Sequence, residues 1–169
     1  MMSTDTRSDA ALIEEILGYH RTHIADLEAA VALSARVEEQ RRADGLGFPK
    51  GLTARLSELL ADTRTHQARE EAWLSSSPRG GAFAIHGADL MDADHERMQE
   101  HLERLVRLTG DYLPPPDADA DWRGLYALCR KYDGEFREHV HLEDRVLFPR
   151  LRQEKRGVVP EQSHAPPRG

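Results

Sequence analysis

Four apolar stripes of helical spacing run through this chain, each interrupted by a histidine, and three segments that no helix can cross divide them. The first stripe is Ile13, Ile16, Leu17, His20, Ile24, Leu27 and Val31, with Val37 close to its continuation. The second is Leu52, Leu56, Leu59, Thr63, His66, Glu70 and Trp73. The third is Met91, His95, Met98, Leu102, Leu105 and Thr109. The fourth is Leu125, Leu128, Tyr132, Phe136, His139, Glu143 and Val146. Steps of three and four residues keep side chains on one helical face. Between the stripes lie Asp44-Gly45-Leu46-Gly47-Phe48-Pro49, Ser75-Ser76-Ser77-Pro78-Arg79-Gly80-Gly81 and Pro114-Pro115-Pro116-Asp117. Glycine clusters and consecutive prolines break helices.

Four helices with short connections predict an all-α, up-down-up-down antiparallel four-helix bundle. Ser8 or Asp9 caps the first helix, and Asp119 or Asp121 suits the positive end of the fourth. The third helix is expected to start between Ala84 and Asp89, and Pro149 to bend or end the fourth. The expected organisation is a flexible tail over residues 1–8, the bundle over 9–152 and a polar, Pro-rich disordered tail over 153–169.

Bulk properties narrow the setting. A chain of 169 residues can form one domain with a substantial core. Net charge of −7 argues against a nucleic-acid partner. No apolar run approaches the roughly 20 residues of a membrane span, and Met1–Asp9 is polar and acidic, unlike a signal peptide. With Cys129 as the single cysteine there is no internal disulfide. The expectation is a cytoplasmic protein that engages neither nucleic acid nor membrane.

Spacing then makes a test possible. In an antiparallel hairpin, residues at equal height are equally far from the turn. His20 and His66 have their midpoint at position 43, beside the first break; His66 and His95 between Gly80 and Gly81; His95 and His139 at Asp117. All three midpoints fall in or against the breaks, so the four histidines share one level of the core.

Glu70 follows His66 by four residues and Glu143 follows His139 by four, which places each carboxylate about one turn, roughly 5–6 Å, from its helix-mate. Buried imidazoles and carboxylates need partners. A metal pair supplies them, with His20, His66, Glu70, His95, His139 and Glu143 as ligands. Mixed imidazole and carboxylate donors suit iron or manganese; six donors fit a closed tetrahedral zinc site poorly. Taken singly, each histidine reads equally well as a packed core residue and Glu70 as a surface acid. The coincidence of height is what separates the two readings. His23, His86, His101 and His141 fall off the stripes or in a loop and read as surface groups or groups behind the site. Tyr132, Met91 and Met98 read as core, and Cys129 as a small buried hydrophobe.

The phrases Gly18-Tyr19-His20-Arg21-Thr22-His23, Pro49-Lys50-Gly51-Leu52, His66-Gln67-Ala68-Arg69-Glu70-Glu71, Asp94-His95-Glu96 and His139-Val140-His141-Leu142-Glu143-Asp144-Arg145-Val146-Leu147-Phe148-Pro149-Arg150 resemble those of hemerythrin-like di-iron proteins, and within them the iron-centre repair proteins. The resemblance covers roughly residues 11–151. It implies two iron ions, oxo- or hydroxo-bridged, held by the same six residues. Both glutamates would bridge, with His20 and His66 on one iron and His95 and His139 on the other. Three departures stand out. The expected bundle lacks the small cysteine-pair domain that repair proteins usually place ahead of it. Arg41 or a neighbour stands where the family often has a histidine, about 30 Å from His20 along a straight helix. Oxygen-carrying hemerythrins place two histidines on the third helix, whereas Gln99 follows His95 by four here.

The resemblance implies repair of iron–sulfur clusters or other iron centres after nitrosative or oxidative stress. Nitric oxide, oxygen or peroxide would be the small ligand, and apo iron–sulfur proteins the partners. Competing expectations are reversible oxygen or nitric oxide binding and sensing, an enzyme consuming peroxide or nitric oxide, and a purely structural bundle.

Overall fold

A computed structural model of the protein describes residues 5–44, 47–76 and 82–154. Four long helices appear in order: α1 (Asp9–Asp44), α2 (Leu52–Ser76), α3 (Ala82–Thr109) and α4 (Ala120–Leu142). A π-helical turn, Glu143–Leu147, follows α4 and leads into the short α5 (Phe148–Glu154). The architecture is the expected all-α four-helix bundle. α1 packs between α2 and α4, α2 packs on α3, and α3 meets α4 and its extension, α5.

Local chemistry sets the ends. The Ala11 N–H donates to Ser8 Oγ at 3.2 Å, so Ser8 caps α1. Asp119 caps α4, accepting from the Trp122 N–H at 2.9 Å. α3 begins at Ala82, earlier than expected, and stops before the three prolines. Gly110, Asp111 and Tyr112 all take left-handed backbone angles there, the conformation that closes helices. Two side-chain contacts hold Tyr112 in it: its N–H donates to Thr109 Oγ1 and its hydroxyl to Asp133 Oδ2, both at 3.1 Å.

Pro149 does not end α4, which stops at Leu142. It lies in the first turn of α5, where its missing N–H is tolerated. The π turn takes up the change of register, with the Phe148 N–H reaching back five residues to the Glu143 carbonyl. Of the N-terminal tail, Asp5–Ser8 is non-helical but tethered: Arg150 donates to the Arg7 carbonyl at 2.7 Å and to Asp9 at 3.1 Å. Residues 1–4 and 155–169, and the side chain of His86, lie outside the described part.

The core comes in two pieces. The larger gathers Leu27, Val37, Leu56, Leu59, Met98, Leu102, Leu125, Tyr132 and Phe136. The smaller gathers Leu12, Ile16, Trp73, Leu74, Met91, Val146, Leu147 and Phe148. Met91, Met98, Tyr132 and Cys129 are buried, as core residues should be. Between the two clusters lies a layer of polar side chains.

Candidate metal centre

That layer contains His20 from α1, His66 and Glu70 from α2, His95 from α3, His139 from α4 and Glu143 from the first position of the π turn. None exceeds 3% exposure, and both glutamates are fully buried. The six residues chosen from spacing therefore converge at one depth.

Each carboxylate meets two imidazoles. Glu70 Oε2 stands 3.2 Å from His20 Nε2 and 3.4 Å from His66 Nε2. Glu143 Oε2 stands 3.0 Å from His95 Nε2, and its Oε1 contacts His139 Nε2. Yet His20 Nε2, His66 Nε2, His95 Nε2, both Glu70 oxygens and Glu143 Oε2 lack an aligned hydrogen-bond partner. Donors bound at about 2.1 Å to one cation and at right angles to each other stand about 3 Å apart. Close contacts without hydrogen-bond alignment are what a shared cation leaves between its ligands. Two buried carboxylates need positive charge beside them, and metal cations or protonated imidazoles meet that demand. The residues fit a metal pair.

The donors divide into His20, Glu70, His139 and Glu143 on one side, and His66, His95 and Glu143 on the other. This differs from the pairing that the resemblance implied. α1 and α4 are neighbours and bring His20 to His139, with ring centroids 5.1 Å apart; α2 and α3 bring His66 to His95, at 4.8 Å. Each glutamate reaches from one pair to the other, which is the disposition of a bridge.

Carboxylates stand behind three of the imidazoles. His20 Nδ1 lies 2.9 Å from Glu71, His95 Nδ1 3.1 Å from Asp144, and His66 Nδ1 3.5 Å from Asp94. Asp94 is itself held by Arg69 at 2.9 Å and by Arg97. Such outer partners fix the ring and raise its basicity as a ligand. Burial opposes protonation of these rings. At His95, Asp144 and Glu143 overcome it and raise the ring to about 10; Glu70 and Glu71 raise His20 in the same way. At His139 burial prevails and pushes the ring down to about 3. A bound cation takes the place of protons on such rings.

His23 was not among the expected residues, and the structure places it at the site. It is fully buried. Its ring lies 5.4 Å from that of His139, 5.0 Å from Tyr132 and 5.6 Å from Tyr19. Tyr19 also stacks on His139 at 5.7 Å and covers it from outside. A signal was available: His23 follows His20 by three, so both belong to one broad helical face. His101 is mostly buried and bonds Asp62 at 3.1 Å, away from the layer. His141 lines a surface cavity of about 370 Å³ with Tyr19 and Glu138. Arg41 is buried at the far end of α1, donating to the Asp117 carbonyl and to Asp119 and lying over Trp122 at 5.1 Å.

The fold and the layer together define a bundle of the kind that holds metal between its helices. The chain belongs to the hemerythrin family: the family model described as the hemerythrin HHE cation binding domain matches residues 11–151. Among curated relatives, a probable iron-sulfur cluster repair protein of Haemophilus influenzae is 29% identical over 151 residues, 88% of this chain and 67% of that protein. The iron-sulfur cluster repair protein YtfE of Cronobacter sakazakii is 33% identical over 144 residues, covering 83% and 65%. YtfE of Yersinia pseudotuberculosis is 34% identical over 134 residues, covering 78% and 60%. The chain thus spans about two thirds of the length of these relatives. Among the described residues, no helix is long and apolar enough to cross a membrane.

Proposed function

We propose that this chain is the iron-holding module of an iron–sulfur cluster repair protein working in the cytoplasm. One observation carries the reading: six donor residues, none more than 3% exposed, converge in one layer, and both Glu70 oxygens and Glu143 Oε2 lack aligned hydrogen-bond partners there. The names of the relatives supply the biological direction.

His20 and His139 would hold one iron and His66 and His95 the other, with Glu70 and Glu143 spanning both. Bound there, the iron pair supplies exchangeable metal for a damaged cluster and open positions for a diatomic ligand such as nitric oxide. The protein's own part is positional. α1 and α4 fix one imidazole pair, α2 and α3 the other, and the two apolar clusters keep bulk water from both ends of the layer. Glu71 and Asp144 orient His20 and His95 from behind.

The test is iron transfer. Purified protein is expected to hold two irons per chain, with the near-ultraviolet absorption of an oxo-bridged ferric pair. In its reduced form it should restore cluster absorption to an apo-ferredoxin supplied with sulfide. Two firmly held irons that form a stable, reversible oxygen adduct without transfer would make the protein a carrier or sensor instead. Steady consumption of peroxide or nitric oxide would make it an enzyme. Absence of iron would remove the reading.

A further inference from the structure

A cavity of about 580 Å³ opens where the start of α2 meets the end of α3. Lys50 and Arg55 line it from one side, Arg104 and Arg107 from the other, and Glu58 is the one acid in its wall. Four cations in one concavity stand out in a chain of net charge −7, since like charges side by side repel.

Their own partners compensate them weakly. Lys50 is exposed and enters no ion pair among the described residues. Arg55 pairs with Glu58 at 2.7 Å, Arg104 with Glu100 at 3.2 Å and Arg107 with Glu103 at 3.7 Å, each about one turn away on its own helix. Every side chain in these pairs is at least 46% exposed. Ion pairs of that kind hold little in water, so the guanidiniums can exchange them for a stronger anion. The end of α2 adds to the field. Pro49-Lys50-Gly51 offers no side-chain oxygen as a cap, and the first turn carries no acid, so the positive end of the helix dipole lies uncompensated beside Lys50.

The metal layer takes no part in this cavity. Arg55 precedes His66 by eleven residues and Arg104 follows His95 by nine, which is about 16 Å and about 14 Å along the helices.

We propose that this cavity binds an oligophosphate: a triphosphate chain, free or carried by a nucleotide. Arginine forks match phosphate oxygens in bidentate fashion, and lysine adds a compact charge. The volume is that of a small-molecule site and exceeds what a single phosphate fills. Its apolar wall is limited to Ala54 and Leu108, with glycine at Gly51, and holds no aromatic ring on which a base could stack. Recognition therefore falls on the phosphates. An acidic protein surface fits less well, because the cations enter one concavity from two helices.

The experiment is calorimetric titration of the full chain at low ionic strength with tripolyphosphate, ATP and inorganic phosphate. Tripolyphosphate is expected to bind one per chain, about tenfold or more tighter than inorganic phosphate, and to weaken as salt screens the exposed charges. ATP is expected to bind no more tightly; if it binds more tightly, a nucleotide is the ligand and the phosphate site stands. Lys50→Ala and Arg107→Ala should each weaken tripolyphosphate about tenfold without changing the circular dichroism of the free protein. Arg21→Ala, exposed on α1, should leave binding as it is. Absence of binding, or variants of Lys50 and Arg107 that bind as wild type does, would overturn the proposal; the second is also what mere chelation of bound metal by the phosphates would give. Equal weakening by Arg21→Ala would reduce it to diffuse charge attraction and overturn it too. A poly-glutamate peptide that binds more tightly than tripolyphosphate and depends on the same residues would make the cavity a dock for an acidic protein instead.

Discussion

Glu143 Oε2 lies 3.0 Å from His95 Nε2 on the facing helix, and the same carboxylate contacts His139 one turn back on its own helix. Glu143 opens the π turn that joins α4 to α5. Such turns concentrate at functional sites. Here it lets a helix carry Pro149 while keeping a carboxylate aimed across the bundle.

Glu143 and Glu70 should therefore each be needed for the metal pair. Glu143→Leu and Glu70→Leu are expected to lower iron content from two per chain to one or none, while His101→Leu, away from the layer, keeps two. Elemental analysis decides. Normal loading of both glutamate variants would end the bridging assignment.

Gly87 of α3 has no room for a side chain. A Cβ there would lie 2.2 Å from Trp73 Nε1 and 2.3 Å from its Cδ1. Trp73 packs edge-on against Phe148 at 5.1 Å, and Phe148 lies parallel to the His95 ring at 6.3 Å. Gly87→Ala should destabilise the fold by about 1–3 kcal/mol through overpacking and shift the metal absorption band by displacing His95. An unchanged melting temperature would contradict this.

Thr63 and Tyr132 share a fully buried hydrogen bond of 2.9 Å beside the polar layer. Tyr132→Phe strands the Thr63 hydroxyl, at an expected cost of about 1–3 kcal/mol. The double variant with Thr63→Val should recover part of that loss, because it removes both polar groups. Denaturant titration of wild type, each single variant and the double variant measures the coupling.

Burial pushes the Cys129 thiol up from 9.0 to about 12 and raises the Tyr132 hydroxyl as well. In the unfolded chain the thiol ionises from about pH 9, and in the folded one only near 12. The folded state then holds the extra proton, so stability falls as pH rises from 9 to 12 and is unaffected by these groups below 9. Melting temperature should drop between pH 8 and pH 11, by less in Cys129→Ala. Cys129 should resist alkylation at pH 8.5 until denaturant is added; rapid labelling of native protein would refute its burial.

Much of this could be read before any coordinates. The stripes and breaks are local signals, and they marked α1, α2 and α4 closely. Height in an antiparallel hairpin depends only on distance from the turn, so midpoints sufficed to bring His20, His66, His95 and His139 to one level. What sequence distance does not encode is lateral neighbourhood. Which helices sit side by side decides that His20 faces His139 rather than His66. A stripe traced through Ile24 leaves His23 as a surface group or one behind the site, and only the flanking of α1 by α2 and α4, which buries a wide face, decides for the second. The third stripe ends at Thr109 as α3 does, where left-handed Gly110–Tyr112 stop the helix ahead of the prolines; its start lies at Ala82, ahead of the expected Ala84–Asp89.

The core is split by its polar layer into a large apolar cluster and a small one. Emptying the layer of cations would remove the cohesion across that seam without touching the larger half, which keeps its own interlocking hydrophobic contacts. The scaffold can then persist while the shorter end, with Trp73, Phe148 and the tethered N-terminus, loosens and reseats. On the proposed reading, loading the layer with metal would couple the two halves, and its loss would weaken the shorter one first.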